Sequence, residues 1–230
     1  MKQYKYQMHM HTLPCSKCAR MDFEQLLAAL ASGGYSGGVI TNHFFHGNTG
    51  IERRLPWEKF VDAYAEDFVL GKKIARKYDL DLLFGLEEGV GRGMEILCYG
   101  ITPELLYDHP ELRKGGLAQW SASVHAAGGI CLQAHPFRRR DYLSEPGPLE
   151  LAWIDGIEVY NACNDFADNL AAQEFAGQNP GMILVSGADA HTPDKVCRAG
   201  IKTRQRIADG TDLVQILRQG CYRIITENFE

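Results

Sequence analysis

Short apolar runs alternate along this chain with longer amphipathic stretches, and that alternation constrains the fold more than any other feature. The runs fall at 4–8, 38–41, 80–84, 96–99, 130–133, 156–159 and 183–185. Segments this short, bounded by turn residues, read as strands. Helical spacing of apolar residues marks 22–31, 56–78, 112–127, 165–178 and 212–218. In the first of these, Phe23, Leu26, Leu27 and Leu30 line one face, and Asp22 is placed to cap the helix. Strand and helix in alternation specify an α/β chain with a mostly parallel sheet. Seven such strands within 230 residues predict a barrel rather than an open sheet. No Pro/Gly/Ser-rich linker interrupts the pattern, so a single domain over 1–230 is expected.

Composition removes several other classes. Apolar residues make up 45% and charged residues 23%, which excludes low-complexity disorder, collagen and coiled coil. The formal charge is −5, so binding of duplex nucleic acid by bulk charge is not expected. No apolar run approaches the ~20 residues that span a bilayer, and the opening MKQYKYQMHMHT lacks a secretory apolar core. Seven cysteines, an odd number, suggest free thiols in a reducing compartment. The expectation is a cytoplasmic protein with no membrane partner.

Five of the eight histidines sit at or just past a strand end. His9 and His11 close the first run in QMHMHT, where i, i+2 spacing on an extended chain points both imidazoles one way and Met8 and Met10 the other. His43 follows GGVITN, His135 follows ICLQA, and His191 follows LVSGADA, with Asp189 two positions before it. Glu87 ends the run LLFGLEE. In a parallel barrel all strand carboxyl ends open on one face, so these seven side chains should meet at one mouth. Imidazole and carboxylate together suit zinc, manganese or iron, and seven donors exceed what one ion of four to six coordination takes. At least two divalent ions follow, with one carboxylate shared. His46, His109 and His125 lack this placement and read as surface or helix residues.

In order, HMHT at 9–12, VITNH at 39–43, GLE at 85–87, AHP at 134–136, GIEVYN at 156–161 and SGADAH at 186–191 resemble the PHP (polymerase and histidinol phosphatase) family of metal-dependent phosphoesterases. The resemblance implies a distorted (β/α)7 barrel with up to three ions at its mouth. It implies His9, His11, Glu87 and Asp189 around the first ion, Glu87 bridging to a second that also takes His135, and His43 and His191 at a third. Relatives carry an acidic residue or histidine five or six positions after the second histidine of HxH, where this chain has Ser16 and Lys17. Cys15 or Cys18 could substitute as thiolates, or Lys17 could supply charge there. Glu95 in GMEILCYG stands where relatives have histidine, and Asn42 where they have aspartate.

Two cations acidify a bound water toward a pKa of ~7, clamp phosphoryl oxygens and stabilise the leaving oxygen. The implied activity is hydrolysis of a small phosphorylated metabolite or nucleotide by a metal-bound hydroxide. Arg138, first of Arg138–Arg139–Arg140 after His135, is the expected phosphate contact, since a guanidinium matches phosphate bidentately. Arg20 and Arg198 are further candidates, Asp189 could accept the water's proton, and 44–57, with His46, Arg53, Arg54 and Trp57, reads as a lid. An amidohydrolase-type hydrolase also opens on HxH, but no lysine stands at a strand end to bridge its metals. A non-catalytic, metal-stabilised domain that binds a phosphorylated ligand is the other alternative.

Overall fold

The computed structural model describes residues 2–141, 143 and 146–227. In chain order its elements are β1 (Tyr4–Gln7), α1 (Phe23–Ser32), β2 (Gly37–Ile40), α2 (Trp57–Ala75), β3 (Asp81–Gly91), β4 (Met94–Tyr99), α3 (Pro103–Asp108) and α4 (Leu117–Ala126). There follow β5 (Ile130–Gln133), β6 (Gly156–Asn161), α5 (Phe166–Gln178), β7 (Ile183–Gly187), β8 (Gly200–Thr203), α6 (Gly210–Arg218) and β9 (Tyr222–Ile225). All seven expected strands form. So do the expected helices, except that 112–127 is broken at Gly115 and Gly116 and is α-helical only from Leu117; α1 shows the local logic best. Asp22 accepts from the Gln25 N–H while the Gln25 side chain accepts from the Asp22 N–H, and Phe23, Leu26, Leu27 and Leu30 are buried.

One sheet holds nine strands in the order β7-β6-β5-β4-β3-β2-β1-β8-β9. β1, β2 and β3 run parallel, as do β5, β6 and β7. β4 is antiparallel to both neighbours, which makes the barrel distorted. Past the end of β1, Met10 bridges Ala190 in parallel register and the His11 N–H donates to the Ala190 carbonyl at 2.9 Å, so the first and seventh strands meet at the mouth. Lower down, the hairpin of β8 and β9 lies between them. The Tyr222 hydroxyl donates to the Leu184 carbonyl at 2.8 Å and Ser186 Oγ to the Ile225 carbonyl at 2.7 Å, which ties β9 back to β7. The result is a nearly closed α/β barrel of the kind expected.

Tyr6, Met8, Val39, Leu83, Leu97, Tyr99, Leu132, Val185 and Ile201 form one buried cluster drawn from the strands, with Leu213, Ile216 and Leu217 of α6 packed onto it. Alternation along β3 then carries the series Leu83, Gly85, Glu87 from this core to the mouth. Along β4 the series Tyr99, Leu97, Glu95 does the same in the reverse chain direction. The expectation that every strand presents its carboxyl end to the mouth is corrected there: β4 presents its start, and Glu95 with it. Met8 is corrected too. It turns into the barrel core while Met10 packs against α1, because the chain bends where Gln7 Oε1 accepts both the Met8 and His9 N–H. Among the described residues no helix is long and apolar enough to cross a membrane.

Candidate metal centre

Backbone geometry at the mouth is strained where it aims side chains inward. His135 and Asp189 have φ of 30° and 48°, the left-handed region that non-glycine residues seldom occupy. Gly187 gives the centre its tightest packing: a Cβ there would lie 2.2 Å from Glu158 Oε1 and 2.4 Å from His9 Cβ.

The seven side chains singled out from the sequence come together. His9 Nε2 lies 3.2 Å from Glu87 Oε1 and 3.5 Å from Asp189 Oδ1. His11 Nε2 stands 3.2 Å from Asp189 Oδ1 and 3.5 Å from Glu87 Oε2. His43 Nδ1 is 2.9 Å from Glu87 Oε2, and His135 Nε2 is 3.2 Å from Glu87 Oε1. The His191 ring stacks on that of His11 at 4.4 Å between centroids. Glu95 joins them, 3.3 Å from His43 Nδ1 and 3.6 Å from His135 Nε2.

Burial without pairing is the decisive property. His9 Nε2, His11 Nε2, His43 Nδ1 and Glu87 Oε2 are buried and have no hydrogen-bond partner, although they face one another across a few ångströms. Buried polar atoms are almost always satisfied. Four unsatisfied electron-pair donors at one mouth fit divalent cations, and four overlapping three-residue sets here bring one donor atom each within 4.8 Å of one another. The opposite ring nitrogens are tied off: His9 Nδ1 by Glu158 at 3.0 Å, His11 Nδ1 by Ser16 Oγ at 3.0 Å, and His191 Nδ1 by the Asp189 carbonyl at 2.8 Å. Such outer contacts fix the tautomer and leave Nε2 for a metal.

Charge in the cluster is mutually balanced. Burial pushes the His9 imidazole down, but the Glu158, Glu87 and Asp189 carboxylates outweigh it and hold His9 well above its ordinary range. Burial lowers His11 as well, and the neighbouring His43 and His191 lower it further. Burial would raise Glu87, yet His9 and His43 hold it well below the usual carboxylate range. Asp189 likewise is raised by burial and overcome by Arg138 and His9.

A cavity of about 700 Å³ opens over these residues and is lined by His43, His46, Glu87, Glu95, His135, Arg138, Asp189 and His191, together with Cys18 and Lys114. Arg138 is buried, its guanidinium donating to Asn164 at 2.7 Å, Asn161 at 2.9 Å and Asp189 at 2.6 Å. Its neighbours differ. Arg139 pairs with Asp168 at 2.8 Å, Arg140 donates to the Cys163 carbonyl at 3.1 Å, and Arg198 pairs with Glu227. Arg20 and Lys17 are exposed and outside the cavity lining. The two cysteines also part company. Cys15 is buried with Phe44 and Trp57, and burial and Asp67 push its thiol up, while Cys18 faces the cavity 3.0 Å from His191 Nε2. Burial alone would raise the Cys18 thiol, but His191 and His43 bring it down to about 6.

Two expectations fail on packing. The stretch 44–57 is anchored rather than a loose lid: Phe44 and Trp57 are buried in an aromatic cluster with Phe60 and Tyr64, and Arg53 donates to the Phe45 and Gly47 carbonyls. His46 is not a bystander. It lines the cavity with its Nδ1 2.5 Å from the buried Glu88 carboxylate. Sequence reading also missed Glu158 and Ser16 as supports, although a charged residue inside the apolar run GIEVY is a legible signal. Asn42 accepts from the Thr12 N–H at 2.6 Å and Ser16 Oγ at 2.8 Å, and so braces the support of His11.

No protein-family model matches the sequence, and no curated protein matches it. Among solved structures, PsfC from Pseudomonas syringae PB-5123 superposes with a TM-score of 0.69 at 15% identity, over 98% of this chain and 92% of that one. A two-domain protein from Bacteroides vulgatus ATCC 8482, containing a predicted PHP-like metal-dependent phosphoesterase, gives 0.67 at 13% identity over 98% of this chain and 65% of that one. The lesion-specific endonuclease PfuEndoQ from Pyrococcus furiosus gives 0.62 at 11% identity over 97% and 58%. This last neighbour corrects the expectation that set nucleic acid aside and preferred a small phosphorylated substrate. The same fold serves an endonuclease, and a net charge of −5 spread over the surface does not decide the field inside one cavity. Motifs and fold thus agree, and this chain has the architecture of the PHP-like metal-dependent phosphoesterases.

Proposed function

We propose that this chain is a metal-dependent phosphoesterase whose active site is the cavity over the histidine cluster. The observation that carries the reading is the gathering of four buried, unpartnered donor atoms in overlapping sets at one mouth. In this reading His9, His11, Glu87 and Asp189 hold one ion, and Glu87 is shared with a second that also takes His135. Glu95, close to both His43 and His135, supplies a further oxygen to the second ion, and His43 and His191 belong to a third. The bound ions supply Lewis acidity toward the phosphoryl oxygens and acidify the attacking water. Zinc, manganese and iron are the ions this donor set accepts.

The chain's own groups do the positioning. Arg138, fixed by Asn161, Asn164 and Asp189, presents a permanent cation on the cavity wall to a non-bridging phosphate oxygen. Asp189, which accepts from Arg138 at 2.6 Å and stands beside His9 and His11, would be the carboxylate that takes up the water's proton. Glu158 and Ser16 keep His9 and His11 in the tautomer that offers Nε2. The test is turnover of p-nitrophenyl phosphate and of bis-p-nitrophenyl phosphate by protein loaded with Mn²⁺, Zn²⁺ or Fe²⁺. Hydrolysis of either ester, abolished in Glu87→Gln, is expected. Tight phosphate binding with neither ester cleaved, or cleavage of cyclic amides instead, would overturn the proposal.

A further inference from the structure

The paired cysteines of CSKC do not act as a pair. Cys15 is 1% exposed and packs into the aromatic cluster, whereas Cys18 faces the cavity with Sγ 3.0 Å from His191 Nε2. The structure thus separates the two candidate thiolates. Beside Cys18, one ring nitrogen each of His11, His43 and His191 lie within 4.8 Å of one another, and this set contains no carboxylate. His43 is only 7% exposed and His11 is fully buried, yet His43 Nδ1 and His11 Nε2 have no hydrogen-bond partner. Of these, the buried and unsatisfied His43 Nδ1 is an observation independent of the sulfur and points to a bound cation beside it.

Resting on the phosphoesterase reading above, we propose that Cys18 is a protein ligand of the outer ion, completing with His43 and His191 a sulfur-containing site that selects zinc or iron(II) over manganese. His11 Nε2 faces Asp189 and Glu87 and serves the inner ions, so two imidazoles and one sulfur remain for the outer one. Three protein donors leave a coordination position for a substrate oxygen, the arrangement of catalytic rather than structural zinc. The Cys18 S–H bond gives way to a sulfur–metal bond, and its proton leaves to solvent. Soft thiolate disfavours Mn²⁺ and Mg²⁺, while the inner donors, rich in the oxygens of Glu87, Asp189 and Glu95, do not discriminate in this way. The two parts of the centre would therefore load different metals from a mixed supply.

Cobalt(II) titration of chelator-treated protein reads the sulfur directly, through the near-ultraviolet thiolate-to-cobalt charge-transfer band. The band should appear as the outer equivalent fills, persist in Cys15→Ser and Cys163→Ser, and vanish in Cys18→Ser. Elemental analysis of Cys18→Ser should show one ion per chain lost and the others kept. Zinc should also protect Cys18 of the unmutated protein from maleimide, as mapped by mass spectrometry, a readout that needs no variant to fold. Cobalt bound without the band, or a band unchanged in Cys18→Ser, would overturn it while the phosphoesterase reading stood. Protein that binds no cobalt and cleaves no ester would overturn both.

Discussion

The two sides of the mouth are built differently. On the inner side, His9 and His11 are fully buried, and each has one nitrogen clamped at 3.0 Å, by Glu158 and by Ser16. On the outer side the His191 side chain is 27% exposed and leans on a backbone carbonyl, with a cysteine as its other neighbour. Rigid support lowers the cost of ordering ligands when an ion arrives, so the inner ions should bind tightly and exchange slowly. The rim keeps freedom, which suits an ion that meets substrate.

Glu87→Gln tests the division most severely. Glu87 stands beside His9, His11, His43 and His135 at once, so its loss should release ions from both sides. Elemental analysis should show at least two ions gone, and kcat should fall by more than roughly 10²–10³-fold, the scale of removing one preorganised transition-state contact. Loss of only the rim ion would break the comparison. Glu158→Gln is narrower. Metal titration should show the inner affinity weakened by about 10–100-fold, the usual effect of an outer-shell change, with the rim unaffected. Equal weakening on both sides would mean that the sides are one unit.

Arg138→Lys keeps the charge but discards the fork that holds Asn161 and Asn164. A drop of roughly tenfold in kcat/KM, with metal content unchanged, is expected on the scale of one charge-assisted hydrogen bond. Unchanged kcat/KM would remove Arg138 from the site. The last test concerns stability, in the layer beneath. Asp67, 3.4 Å from Asn42 Nδ2, is raised by burial from its ordinary 3.8 to about 6. The folded state therefore binds this proton more tightly than the unfolded state does. Its contribution is fully present below pH 3.8 and lost as pH rises through about 6, roughly 3 kcal/mol at most. Denaturant unfolding of chelated protein between pH 4 and 7 should show that loss in the parent relative to Asp67→Asn. Parallel pH profiles would contradict it.

Much of this centre was legible because period-2 alternation and strand ends are local properties. HxH at 9–11 and DAH at 189–191 carry their geometry in their spacing, and the seven apolar runs mark the barrel. What escaped were consequences of chain direction and of partners far along the chain. Gly91-Arg92-Gly93 turns β3 back into an antiparallel β4, with all three residues at positive φ, and this reversal delivers Glu95 to the mouth. A GRG between two apolar runs was a hairpin signal. His46 gave no such signal, because its role depends on a buried Glu88 that lies 42 positions away. The strands β8 and β9 are four residues each, too short for their alternation to stand out. Net charge misled about substrate because it averages over a surface that the cavity does not sample.

Metal content decides the central claim most directly. Protein purified without chelator should carry at least two divalent ions per chain, and His135→Ala should carry fewer. A chain that holds no stoichiometric metal, or a His135→Ala variant with its full complement, would show that the clustered imidazoles and carboxylates merely neutralise one another.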